Sequence, residues 1–215
     1  MQNPVRGFLH GGAAVAALVG TIYLVNRAGS DTGILIGSLI FGLALLVMYT
    51  TSSLYHSVPW RPDWKRRLQR LDHSMIYLVV AGTFTPIAVA GLQGTDVWWC
   101  LGLVWSIAVV GIVLKLVLPG VSTGLSVTLQ LGMGWTIIFW IPQIWNSLGL
   151  GAIALIVVGG IFYIAGTVIF MTKRPRLFPR TFSHHELFHV FVILASVSHF
   201  LAVALYAIPA ATPPV

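Results

Sequence analysis

Residues 32–60 read TGILIGSLIFGLALLVMYTTSSLYHSVPW, a stretch with no Asp, Glu, Lys or Arg. A helix rises 1.5 Å per residue, so about 20 apolar residues cross the roughly 30 Å hydrocarbon core of a bilayer. This run reads as a membrane-spanning helix, and the rest of the chain follows from it. Similar charge-free stretches occupy residues 8–26, the interval between Asp72 and Asp96, and residues 97–114. Residues 116–172 form a longer one, too long for a single span, which the polar break Asn146-Ser147-Leu148-Gly149 splits in two. Pro119-Gly120 marks the loop before it. The last stretch follows Glu186 and ends near Ala207, ahead of a proline-rich tail. The expected fold is all-α: an integral membrane bundle of seven transmembrane helices, one domain over residues 1–215.

The totals agree. Of 215 residues, 57% are hydrophobic and 8% charged, with mean hydropathy +0.91. Soluble domains carry roughly 25% charged residues, so a soluble globular chain is excluded, and a disordered one more firmly. The net charge of +7 would suggest nucleic acid in a soluble protein. In a membrane protein it marks cytoplasmic loops facing anionic headgroups, and no nucleic-acid partner is expected. Cys100 stands alone and forms no internal disulfide.

With seven spans, one side of the membrane holds Arg6, Arg61, Lys65, Arg66, Arg67, Arg70, Lys115, Lys173, Arg174, Arg176 and Arg180, and the other Arg27 alone. Basic residues collect on the cytoplasmic side, so the N-terminus is expected to be cytoplasmic and the C-terminus external. The first span reads as a retained helix rather than a signal peptide, because no small-x-small cleavage site ends it. Trp105 and Trp135 read as packing residues, and Thr85-Pro86 as a kink in the third span.

Placing the titratable residues by depth gathers them at one level. His56 closes the second span near the cytoplasmic interface. Asp72 and His73 fall in the first turn of the third, and His184, His185, Glu186 and His189 open the seventh. His185 and His189 are i and i+4, on one helical face. Two such imidazoles, with His56 as a third ligand, match a zinc site with one open position. There a bound water becomes acidic, with pKa falling to about 7. Asp72 would orient that water or a ligand histidine. Ser52, one turn from His56 on the same face, would bond Asp72 or a substrate oxygen. His10 reads as an interfacial residue, and so do His73 and His184, though His73 also suits a cavity wall. His199, deep in the last span, reads as polar packing or as part of a substrate cavity. His185-Glu186-Leu187-Phe188-His189 matches H-E-x-x-H, in which Glu186 would be a protease base. No acid follows it, and the metzincin third-ligand position is Ala195, so the motif lacks its partners.

These residues carry a family resemblance. Ser52-x-x-x-His56 with Tyr55-His56-Ser57, Asp72-His73-Ser74, Gly82-Thr83-Phe84-Thr85-Pro86, and His185-Glu186-Leu187-Phe188-His189 through Ser198-His199-Phe200 resemble the bacterial branch of the hemolysin III family. That family is similar to the progestin and adipoQ receptors and to alkaline ceramidases. The resemblance implies a seven-helix fold with cytoplasmic N-terminus and zinc on His56, His185 and His189. It also implies Asp72 close to the metal-bound water, and no required role for Glu186.

The leading expectation is a bacterial inner-membrane, zinc-dependent hydrolase of a lipid amide or ester, ceramidase-like and active in membrane lipid homeostasis. Asp72 and Ser52 would be its catalytic side chains and a membrane lipid its substrate. A receptor-like or homeostasis sensor with a structural, four-coordinate zinc is the second expectation. A pore-forming cytolysin is the third. The sequence leaves the oligomeric state open.

Overall fold

The computed structural model describes residues 4–118, 120–178 and 181–212. Pro119 and Arg180, which entered the sequence reading, lie outside the described residues. The order is α1 (Pro4–Ala28), α2 (Thr32–Ser57), α3 (Pro62–Gly91), α4 (Thr95–Val117) and α5 (Thr123–Trp135). A 3₁₀ turn (Thr136–Trp140), α6 (Ile141–Thr172), α7 (His184–Ala202), a π turn (Val203–Ala207) and α8 (Ile208–Ala211) complete it. Among the described residues, β pairing is limited to an isolated bridge between Phe178 and Phe182.

Among the described residues, six helical segments are long and apolar enough to cross a membrane: Pro4–Ala28, Thr32–Ser57, Pro62–Gly91, Thr95–Val117, Thr123–Thr172 and His184–Ala211. Their outer faces need an apolar solvent. Phe8, Val15 and Val19 of α1 are each more than 60% exposed. Apolar surface of that extent is rare on soluble monomers. The chain is a helical, multi-pass membrane protein.

Local chemistry fixes the ends. The Asp31 side chain caps α2 by accepting from Ile34 N at 2.9 Å. Ser122 Oγ caps α5 from Leu125 N at 3.1 Å. Pro62 occupies the first turn of α3, where its missing N–H costs nothing. That start corrects one expectation. Asp72 and His73 lie ten residues or more into α3 rather than in its first turn, and the basic run from Lys65 to Arg70 is helical rather than loop. The absence of charge marks where hydrocarbon begins, which need not be where the helix begins.

The 50-residue segment Thr123–Thr172 is interrupted where the polar break was expected: Gly149 has φ 79° and ψ 174°. Near one end of the segment, Gln130 Nε2 donates to His73 O at 3.1 Å. Ile144 and Leu148 pack against Gly91, at the far end of α3. Phe170 then returns to the His73 ring, 6.3 Å between centroids. Pro86 lies inside α3, and Gly37 of α2 faces its backbone. Trp105 packs as expected, donating Nε1 to Thr85 Oγ1 at 3.2 Å. Trp135 is not packed away: it is 59% exposed and borders the cavity described below.

The acids are accounted for one by one. Asp31 is the α2 cap. Asp63 pairs with Arg66. Asp96 accepts from Gln143 Nε2 at 2.6 Å. Glu186 and Asp72 lie at the site described next.

Candidate metal centre

His56 occupies the last turn of α2, and His185 and His189 the first turns of α7. Each offers one nitrogen, and the three nitrogens lie within 4.8 Å of one another. The ring centroids form a nearly equilateral triangle: 5.2 Å from His56 to His185, 5.0 Å from His56 to His189, and 5.0 Å from His185 to His189. His56 and His189 are buried, and His185 is half-buried. His56 Nε2 and His189 Nδ1 are buried without a hydrogen-bond partner.

The donors fit a metal. Imidazole nitrogens bind zinc at about 2.0–2.1 Å in tetrahedral geometry, which puts ring centroids about 5 Å apart. The observed triangle has that size. The orphaned nitrogens point the same way, because a buried imidazole nitrogen without a partner is costly. Among the described residues the group stops at three. Asp72, His73 and His184, the fourth ligands a closed site would draw on, are not part of it.

Two carboxylates flank the centre and differ in kind. Glu186 accepts from Ser183 N through Oε2 at 2.8 Å, closing a capping box at the start of α7. Its Oε1 accepts from Arg6 Nε at 2.7 Å. Both oxygens are engaged in holding helices, so the H-E-x-x-H spacing here builds a helix terminus. Asp72 is different. It lines a cavity of about 330 Å³ together with Ser52, His73, His185 and His189. The Ser52 side chain lies beside it.

The cavity continues away from the histidines along apolar walls, including Val79, Phe84, Ile87 and Val192. A polar group lies behind its Tyr163 and Val192 lining. Tyr49 Oη donates to Ser196 Oγ at 2.8 Å, and Ser196 Oγ donates to Val192 O at 3.0 Å. Tyr163 Oη lies 3.4 Å from Ser196 Oγ. His199, expected to be buried in mid-membrane, is buried and lines the cavity, with Nε2 3.3 Å from Ile156 O. A carbonyl only accepts, so His199 donates from Nε2 in this contact. His73, read as interfacial or cavity-lining, lines the cavity.

The sequence reading missed His10. Expected at the interface, it is 3% exposed, lines the cavity, and stacks on His189 with centroids 3.8 Å apart and planes 23° apart. A signal was available: the depth argument that gathered His56, Asp72 and His185 puts the first turns of α1 at the same level.

Comparison with known proteins gives one family. The family model described as haemolysin-III related matches residues 1–200. The chain is 34% identical over 195 residues to a protein named hemolysin-3 homolog of Bacillus subtilis (strain 168), covering 91% of this chain and 88% of the relative. It is 29% identical over 213 residues to hemolysin-3 of Bacillus cereus, covering 98% and 94%. It is 24% identical over 212 residues to the monocyte to macrophage differentiation factor of Homo sapiens, covering 95% and 84%.

Proposed function

The chain belongs to the haemolysin III family, and from that premise we propose that it is a zinc-dependent hydrolase acting on a membrane lipid amide or ester. The observation that carries this reading is the join between a three-histidine centre and an apolar cavity through Asp72 and Ser52. A closed structural zinc takes four protein ligands, and the group of three favours an open position instead.

His56, His185 and His189 would hold the ion, which when bound polarises a carbonyl and acidifies a water at neutral pH. The remaining work falls to side chains. The walls from Val79 to Val192 bury an acyl chain and exclude bulk water. Asp72 takes the proton lost from the attacking water and delivers it to the departing nitrogen or oxygen, so a C–N or C–O bond breaks as the new carboxyl forms. Ser52, beside Asp72, holds the carboxylate in the orientation that this transfer needs.

The membrane arrangement that suits this chemistry has seven crossings, with α5 and the first part of α6 as the fifth and the rest of α6 as the sixth. Gly149 and the return of Phe170 to His73 support the count. The distribution of Lys and Arg supports a cytoplasmic N-terminus and a centre near the cytoplasmic face. The Bacillus relatives support a bacterial plasma membrane.

The test is direct. Purified, zinc-loaded protein is incubated in bilayers with an N-acyl sphingoid lipid and, separately, a long-chain ester. Release of fatty acid that stops on chelation and resumes on adding zinc supports the reading. Absence of release from either lipid by fully zinc-loaded protein contradicts it.

A further inference from the structure

The two helices that carry the three histidines are held together by a third that carries none. Arg6, Gly7 and His10 occupy the first two turns of α1. Arg6 Nε donates to Glu186, the residue between His185 and His189 in sequence, at 2.7 Å. His10 stacks on the His189 ring, centroids 3.8 Å apart, and also meets Tyr49 of α2 edge-on at 5.0 Å. Gly7 sits against Ser57, next to His56, so closely that a Cβ there would overlap Ser57 Oγ. Ser53 Oγ donates to Gly7 O at 2.9 Å, fixing the same approach one turn earlier on α2. One turn of α1 thus touches the neighbours of all three histidines.

Metal-binding histidines are usually oriented through their second nitrogen, which donates to a carbonyl or carboxylate. His189 lacks that support: among the described residues neither of its ring nitrogens makes a hydrogen bond, so whichever nitrogen takes the ion leaves the other without a partner. The nearest carboxylate on its helix, Glu186, is committed to Ser183 and Arg6. The tightest ring contact of His189 is the face of His10, stacked at 3.8 Å against 5.0 Å or more for the His56, His185 and Phe188 rings.

We propose that the start of α1 is part of the metal centre, with His10 as the positioning residue that sets the His189 ring by stacking and Arg6 as the tie that sets the height of α7. The proposal rests on the reading of His56, His185 and His189 as metal ligands. It adds a role for α1 that the three-histidine pattern does not contain. Stacking needs a flat ring and no particular nitrogen, so phenylalanine is expected to replace His10 in this role where alanine fails.

Cobalt(II) tests it without a substrate. The metal-free protein in detergent is titrated with Co²⁺, following the visible absorption of the bound ion, while circular dichroism reports the helices. His10→Ala is expected to weaken binding about 10-fold or more and to alter the absorption bands, as loss of an orienting contact does. His10→Phe is expected to restore both. Arg6→Gln is expected to weaken binding with His10 intact. Wild-type affinity and bands in His10→Ala, or equal losses in His10→Ala and His10→Phe, would overturn the stacking role. Wild-type affinity in Arg6→Gln would overturn the tie. No Co²⁺ binding by the unmodified protein would instead remove the three-histidine centre itself, so the two failures are distinct.

Discussion

Arg6 and Glu186 form an ion pair at 2.7 Å, with Glu186 almost enclosed and Arg6 part-buried. The pair joins the first helix to the seventh beside the histidines, and it settles how Glu186 is used. Its other oxygen accepts from Ser183 N. A glutamine has a single acceptor oxygen, so it can keep the capping contact to Ser183 N, while its NH2 faces the Arg6 N–H and the ion pair is lost. Glu186→Gln is therefore expected to bind metal more weakly, as Arg6→Gln does, but to keep any hydrolysis once fully metal-loaded, measured by metal titration and by fatty-acid release. A metalloprotease-type base in this position would lose turnover on that change. Glu186→Ala loses the cap and is expected to destabilise by about 0.5–2 kcal/mol, read from thermal unfolding in detergent.

Asp72 faces the cavity beside Ser52, without the helix-holding duties of Glu186. Asp72→Asn keeps the shape and removes the proton acceptor. Metal content is expected to be unchanged while lipid hydrolysis falls at least about 100-fold, in the range seen for loss of a general base. Hydrolysis at the wild-type rate would take Asp72 out of the chemistry.

Gly149 holds φ 79° and ψ 174°, a backbone region open to glycine and almost closed to other residues. Gly149→Ala is expected to cost about 1–3 kcal/mol of stability. The turn also places Asn146 and Ser147 on the side opposite His73. A cysteine at Ser147, in a Cys100→Ser background, is expected to react with a membrane-impermeant thiol reagent added outside intact cells. A cysteine at Arg67 is expected to react only after the membrane is opened. The reverse pattern would invert the proposed orientation.

Gly111 lies against the buried Tyr77 ring, and a Cβ there would come within 2.5 Å of it. Tyr77 is 1% exposed and donates its hydroxyl to Ser126 O at 3.1 Å, so it has little room to move. Gly111→Ala is expected to destabilise by about 1–3 kcal/mol through overpacking. Combining it with Tyr77→Leu is expected to cost less than the sum of the two single changes, by thermal unfolding.

Much of this was legible in the chain because hydrocarbon imposes a simple rule: a polar residue at depth needs a reason. That rule found His56, His185 and His189, which the structure brings together, and it found His199. Gly149 was legible because a glycine in a polar break ends an apolar run. What the sequence did not disclose depends on contacts between helices. His10 looked like a residue at a helix end, and only the close approach at Gly7 buries it against His189. Trp135 looked like packing, but a tryptophan side chain carries no mark of which face meets lipid. Asp72 looked like a helix start because charge marks the membrane boundary, while Pro62 starts α3 ten residues earlier.

His56, His185 and His189 are expected to hold one zinc ion. Metal analysis of protein purified without added chelator is expected to find about one zinc per chain in the wild type. It is expected to find almost none in His56→Ala or in the His185→Ala/His189→Ala double variant, with helical content retained. Full zinc retention in both variants would show that these three histidines do not hold the ion.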